Sequence, residues 1–209
     1  GLPASVNAKW WTYPDGWPDS SRVGIYEPSQ TVSISNGTLN VYMHSAGGTL
    51  MGAALLPKIP GGVNGNGQMY GRYAVRFRAD QIPDYKLAWM LWPDSNRMPR
   101  DGEIDFPESD LNKPIDAFVH HQGATAYNDQ DYYGTPATYN SWHTAIITRM
   151  PGSVSFTLDG NVIGTSTSRL PATPMHWILQ SETSTYGTWP TSTAGGRIQI
   201  AWVTAYAPG

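Results

Sequence analysis

What this chain lacks narrows what it is. None of its 209 residues is a cysteine, which excludes disulfides and thiolate metal sites. Charged residues make up only 14%, the net charge is −3, and no segment forms a basic patch. Neither nucleic acid nor an anionic membrane is therefore expected as a partner. No stretch approaches the ~18 consecutive apolar residues of a membrane-crossing helix. No segment reads as a long amphipathic helix, and there is no internal repeat. Phenylalanine is scarce, with four copies against nine tryptophans and twelve tyrosines. Phenylalanine serves cores, whereas tryptophan and tyrosine join a flat apolar face to a polar edge, as a groove for sugar rings requires. The opening Gly1-Leu2-Pro3, without methionine, is read as a processed start. The length suits one all-β domain spanning 1–209.

What is present is mostly short alternating segments between turn signals. Residues 31–45 alternate on both sides of Asn36-Gly37, and Asp159-Gly160 separates two further runs; both dipeptides are hairpin turns by composition. Residues 57–68 form a Gly/Pro/Asn loop with no helix after it to make a phosphate cradle. Tyr70 to Arg78 alternates as a strand with Arg72, Arg76 and Arg78 on one side, where pairing with acids is expected. Residues 87–93 are a continuous apolar run of strand length, and 115–123 reads as another strand, carrying His120-His121. Residues 124–141 are polar and tyrosine-rich and read as a long surface loop. Strands follow over 142–150, 153–158 and 197–206. The first 22 residues, with Trp10, Trp11 and Trp17, read as a terminal strand and rim loop whose rings pack the N-terminus. The residues alone support an antiparallel sandwich or barrel.

The chemistry concentrates in Glu103-Ile104-Asp105-Phe106-Pro107-Glu108. On a strand, Glu103 and Asp105 share a face, and Glu108, an odd number of residues away, faces the other. One extra residue in a bulge near Phe106-Pro107 restores it, and proline tolerates the lost ladder bond. Three clustered carboxyls repel, so some hold protons at neutral pH. That destabilises a fold but serves glycoside hydrolysis, which needs two carboxyl groups flanking the scissile bond. Five residues at ~3.3 Å rise span ~16 Å, shortened by a bulge. That permits the roughly 5–5.5 Å carboxyl gap of a retaining enzyme without requiring it. A solvated edge strand or a calcium loop are the alternatives. The apolar Ile104, Phe106 and Pro107 speak against the calcium loop.

Glu103-x-Asp105-x-x-Glu108 resembles the signature of glycoside hydrolase family 16, in its β-bulge subgroup of laminarinase-like bacterial endo-β-glucanases. The likeness extends from about residue 25 to the C-terminus, through Tyr70-Gly71-Arg72, Ala88 to Pro93, His121-Gln122-Gly123, Trp142-His143, Phe156 to Gly160 and Pro174-Met175. The resemblance implies a concanavalin-like β-jelly roll of two curved antiparallel sheets with the cleft on the concave face. It implies a retaining, secreted endo-enzyme cutting β-1,3- or mixed β-1,3-1,4-linked glucan, and a monomer is expected. Glu103 would be the nucleophile, Glu108 the acid/base, and Asp105 the residue sharing a proton with Glu103. Trp89 or Trp92 forms a wall of the cleft; alternation puts them on opposite faces, and Trp89 is taken as the sugar-facing one. Trp189 is a second stacking candidate. His121 is the polar contact implied, with His120 open because Gln122 replaces the family's aromatic. Gln180 and Glu182 stand where a family motif lines the cleft, and they are unusual there, hinting at a modified subsite. Family members often carry at position 201 an Asp that helps hold calcium; Ala201 stands there, so no cofactor is required and calcium is not assumed. The competing readings are the same chemistry on a galactan or bacterial exopolysaccharide, and a lectin-like binding module without catalysis. Three clustered acids speak against the lectin.

Overall fold

The computed structural model describes residues 2–59, 67–185 and 188–207. Of two short helices, α1 (Ala4–Lys9) follows Pro3 and α2 (Pro28–Thr31) begins on its own proline. The strands in chain order are β1 (Trp10–Thr12), β2 (Trp17–Pro18), β3 (Ile25–Tyr26), β4 (Val32–Ser35), β5 (Thr38–Ala46), β6 (Thr49–Pro57), β7 (Gly71–Ala79) and β8 (Tyr85–Pro93). They continue with β9 (Glu103–Asp110), β10 (Pro114–His120), β11 (Gln130–Thr138), β12 (His143–Met150), β13 (Ser153–Leu158), β14 (Asn161–Ser166), β15 (Met175–Thr183) and β16 (Gly196–Tyr206).

One curved sheet runs β11-β10-β9-β8-β15-β6, and the other β5-β16-β7-β12-β13-β14. The β5–β6 hairpin, paired only over His44–Ala46 and Thr49–Met51, joins them at one edge. Pairing is antiparallel except for the short β3–β6 contact. The result is the jelly-roll sandwich expected. Apolar residues at alternate positions fill the space between the sheets: Tyr73, Val75 and Phe77 from β7 face Leu87, Trp89 and Leu91 from β8 and Trp177 from β15. Aromatic pairs bridge the layers at 5.1 Å for Phe77–Trp89, 5.6 Å for Tyr73–Trp177 and 5.5 Å for Phe106–Phe156. Such edge-on contacts add to the area they bury.

Both turn dipeptides behave as their composition requires. Asn36 and Gly37 have φ of 50° and 74°, and Asp159 and Gly160 of 50° and 86°, the left-handed pair of a type I′ hairpin turn. Residues 60–66 of the expected 57–68 loop lie outside the described residues. The expected loop over 124–141 is corrected: Gln130–Thr138 is a strand on the sheet edge, paired to β10. Its side chains are exposed or half-buried throughout, so the apolar alternation that marks an internal strand is absent. None of the N-terminal tryptophans lines the cleft, but only Trp10 packs inward as expected, while Trp11 and Trp17 are exposed. Trp10 lies against the main core, Trp11 beneath Lys58, and Trp17 against Tyr13.

Candidate active site

β9 crosses the concave sheet with one extra residue. Against β8, Ala88 pairs with Glu108 and Met90 with Asp105; against β10, Asp116 pairs with Glu108 and Phe118 with Asp105. Two steps on either neighbour match three on β9, so the bulge falls at Phe106–Pro107, where sequence placed it. Ile104 and Phe106 enter the core, while Glu103 and Glu108 both line one cleft. Gly102 lets the strand begin close to its neighbour. With φ +72°, a Cβ there would stand 2.5 Å from the His120 carbonyl oxygen, and Glu103 is thereby set opposite His120.

The cleft has a volume of about 650 Å³. Its floor is a small apolar cluster of Ala88, Met90 and Ile178 with Tyr26, Ala54 and half-buried Tyr13 and Trp92. Tyr127, Asn128 and Gln130 stand on one wall and Gln180 and Glu182 on the other. A second groove of about 470 Å³ continues past Glu108, between Phe118, Tyr132 and Thr185.

The three acids are not equivalent. Glu103 and Asp105 are buried, and burial is the first reason both carboxyls stand well above the ordinary range; the Asp105 charge adds to it at Glu103, and the Glu108 charge adds to it at Asp105, where a hydrogen bond with Glu103 and the Lys86 charge pull the other way. Two buried acids this close do not readily ionise together, so a proton on one favours the charge on the other. The neighbouring imidazole is oriented by the backbone: His120 Nδ1 is 2.7 Å from the Tyr127 carbonyl, an acceptor only, so Nδ1 carries a hydrogen. Nε2 is 3.3 Å from Asp105 Oδ2. Glu108 is less buried, and Lys86 Nζ donates to its Oε1 at 2.9 Å. Burial opposes the ammonium, but the carboxylates of Glu108, Glu182 and Asp105 outweigh it and keep Lys86 charged. Glu182 accepts from Tyr26 Oη and, at 3.1 Å, from the Ser20 amide; burial raises its pKa against the pull of Lys86 and these donors.

Some residues singled out in the sequence sit elsewhere than expected, and others fall where expected. Gln180 lines the cleft, and so does Glu182. Trp89 is fully buried against Phe77 and cannot meet a sugar; the opposite-face partner Trp92 lines the cleft instead. The bulge register pairs the cleft with even positions of β8, and residue order alone does not reveal that register. His121 points away from the cleft, between Asp129 Oδ1 at 2.8 Å and Asp131 Oδ1 at 3.2 Å; His120 is the cleft residue. Trp189 is exposed and lines neither groove. Lys86 is a site residue that the sequence reasoning missed, although a lone lysine opening an apolar strand run is a signal of a buried partner. Ala201 is exposed and offers no side-chain oxygen, so this position does not supply the family's calcium ligand. Among the described residues, the acids and histidine grouped tightly enough to share an ion are Glu103, Asp105 and His120, the cleft cluster itself.

A carboxyl-lined cleft across the concave sheet of a jelly roll is the build of a carbohydrate-active protein. The chain belongs to the Glycosyl hydrolases family 16, whose profile matches residues 26–204. No curated protein matches it. Among solved structures, the Bacillus licheniformis β-glucanase is similar with a TM-score of 0.76 at 16% identity, over 96% of this chain and 92% of that one. The Rhodothermus marinus laminarinase aligns with a TM-score of 0.74 at 19% identity, over 96% and 92%. The Mycobacterium tuberculosis pseudo β-1,3-glucanase Rv0315 gives 0.75 at 18%, over 97% and 92%.

Two outcomes follow from this geometry. Raised carboxyl pKa values mean that, above about pH 4, the folded chain binds more protons than the unfolded one, so stability falls as pH rises through that window. Glu103→Gln should therefore melt higher than the parent at pH 7, each kcal/mol relieved giving about 2–4 °C. The gap should close by about pH 4, where both states hold the proton; a gap of equal size at both pH values in thermal denaturation would contradict this. Trp89→Ala should cost about 3–5 kcal/mol of stability. Trp92→Ala, which loses half-buried packing and a hydrogen bond to Asn96, should cost less stability than Trp89→Ala and raise KM for glycan roughly five- to tenfold.

Proposed function

We propose that this protein is a retaining endo-β-glucanase that cleaves β-1,3- or mixed β-1,3-1,4-linked glucan by double displacement, and that it works outside the cell as a monomer. The observation that carries the reading is the bulged β9, which turns Glu103 and Glu108 into one cleft of about 650 Å³. An open groove running past both acids suits attack within a chain, and the half-buried Tyr13 and Trp92 offer ring faces to pyranoses. Family membership supports the chemistry, and the β-glucanase and laminarinase folds support the substrate class.

In the first step Glu103 attacks the anomeric carbon and the glycosidic C–O bond breaks, with Glu108 giving its proton to the leaving oxygen. Glu103 must be ionised to attack, so a proton held by the pair then resides on Asp105, beside His120. Glu103 is the more buried of the two glutamates, which desolvates the nucleophile and strengthens its interaction with an oxocarbenium-like centre. In the second step Glu108 takes a proton from water, which attacks the same carbon and frees Glu103. Lys86, donating to Glu108 Oε1, holds that carboxyl in place for this second step. No cofactor enters.

Glu103→Gln and Glu108→Gln should each lower cleavage by on the order of 10³ with native circular dichroism, and Asp105→Asn should lower it less. Proton NMR of the first product should show the β-anomer before mutarotation. An initial α-anomer would overturn retention, and full activity in Glu103→Gln would overturn the mechanism. A reducing-end assay on laminarin, mixed-linkage glucan, agarose, carrageenan and arabinogalactan decides the substrate. Cleavage of a galactan alone would keep the chemistry and replace the glucan. Binding without any new reducing ends would favour a lectin-like module.

A further inference from the structure

The face opposite the cleft carries the opposite charge. Strands β4, β5, β7, β12, β13, β14 and β16 contain no aspartate or glutamate, whereas β9 alone contains Glu103, Asp105, Glu108 and Asp110. The convex sheet instead holds arginines. Arg149 turns inward and is buried, donating to the carbonyls of Gln68, Pro171 and Thr173. Arg72, Arg76 and Arg78 alternate with the core residues Tyr73, Val75 and Phe77 and so project outward. Arg197 projects from β16 on the same side.

Strand register interleaves these cations with rings. Tyr206 pairs with Arg72, Trp202 with Arg76, and Tyr42 with Arg197. Trp142 has the Arg76 and Arg78 guanidiniums 5.8 and 5.4 Å from its centroid, and Arg197 lies 4.9 Å over Tyr42. Trp202 is 43% and Tyr206 58% exposed. The expected pairing of the arginines with acids is largely unmet. Arg76 alone approaches one, Asp159 at 3.9 Å, and that carboxylate is already held by His143 at 2.6 Å. Arg78 donates to Gln199, and Arg72 has no polar partner among the described residues. In a protein of net charge −3, these four arginines are gathered by folding on one sheet face whose strands carry no acid, with Asp159 of the β13–β14 turn at its edge, since the sequence itself contains no basic patch.

We infer that this convex face is a second, non-catalytic binding site for an anionic polysaccharide, a glycan bearing carboxylate or phosphate groups. The guanidiniums match such anions, and the exposed Trp202 and Tyr206 rings match pyranose faces. Arg72 and Arg76 lie about 13 Å apart along β7 and Arg76 and Arg78 about 7 Å, so one extended polymer reaches all three. Duplex nucleic acid is the poorer fit, because a broad sheet face presents no helix or two-stranded ribbon to a groove. The site would hold the protein on a charged matrix while the acidic cleft on the other face stays open.

Affinity electrophoresis of the full chain in gels containing polygalacturonate, neutral laminarin or no polymer tests this. The wild type should be retarded by polygalacturonate at low salt and released at about 0.2 M or more. Arg72→Gln/Arg76→Gln/Arg78→Gln should weaken that binding at least tenfold, and Trp202→Ala should weaken it severalfold. All variants should cleave a short soluble oligosaccharide as the wild type does. If the triple variant fails to fold, Arg72→Gln, whose side chain has no polar partner among the described residues, should still weaken binding. Absence of retardation, retardation unchanged in the variants, or competition by duplex DNA as effective as that by polygalacturonate would overturn the inference.

Discussion

The bulge at Phe106–Pro107 reconciles two demands on one strand. β9 lies between β8 and β10 and must give Ile104 and Phe106 to the core while giving carboxyls to the cleft. Without the extra residue, strict alternation would turn Glu108 toward the layer occupied by Trp89 and Phe156. An unpaired carboxyl there would cost several kcal/mol or be neutralised. With it, both sheets keep an apolar interior, and the acids meet on the concave face. The wall residues then have something to surround: His120 comes level with Glu103 through the β9–β10 register, and Lys86 reaches Glu108 from β8.

Electrostatics divides the molecule as clearly as the layers do. The concave sheet concentrates acids, and their mutual repulsion and burial are compensated locally by Lys86 and His120. The convex sheet has no strand acid and carries the arginines, held by rings rather than by carboxylates. Segregation of this kind lowers the cost of neither face. Like charges within a face repel, and only the ~10 Å screening of ordinary salt limits it. It is a cost that a ligand on each face offsets.

Much of this is legible in the sequence because it rests on local rules. Asn36-Gly37 and Asp159-Gly160 fix their turns through backbone preference alone, and the bulge follows from parity plus a proline. What is not legible depends on register and on the third dimension. Alternation shows that Trp89 and Trp92 face opposite ways, but which one faces the core depends on the β8–β9 pairing. His120 and His121 present the same ambiguity, and the one beside the cleft is the less favoured of the two. β11 is hidden because an edge strand with two half-wet faces carries no apolar period. The arginine face is invisible for a related reason: its members come from β7 and β16, more than a hundred residues apart, and only their pairing brings them together.

The claim on which the others rest is that β9 presents Glu103 as the nucleophile, and covalent trapping tests it most directly. A 2-deoxy-2-fluoro glucan disaccharyl fluoride slows both steps by destabilising the oxocarbenium-like transition state, and its good leaving group lets the intermediate accumulate. Proteolysis and mass spectrometry of the inactivated protein should then place the sugar on Glu103, in the peptide that also contains Asp105 and Glu108, with fragmentation separating the three. A label on Glu108 or Asp105, or time-dependent inactivation with no label in that peptide, would contradict the assignment.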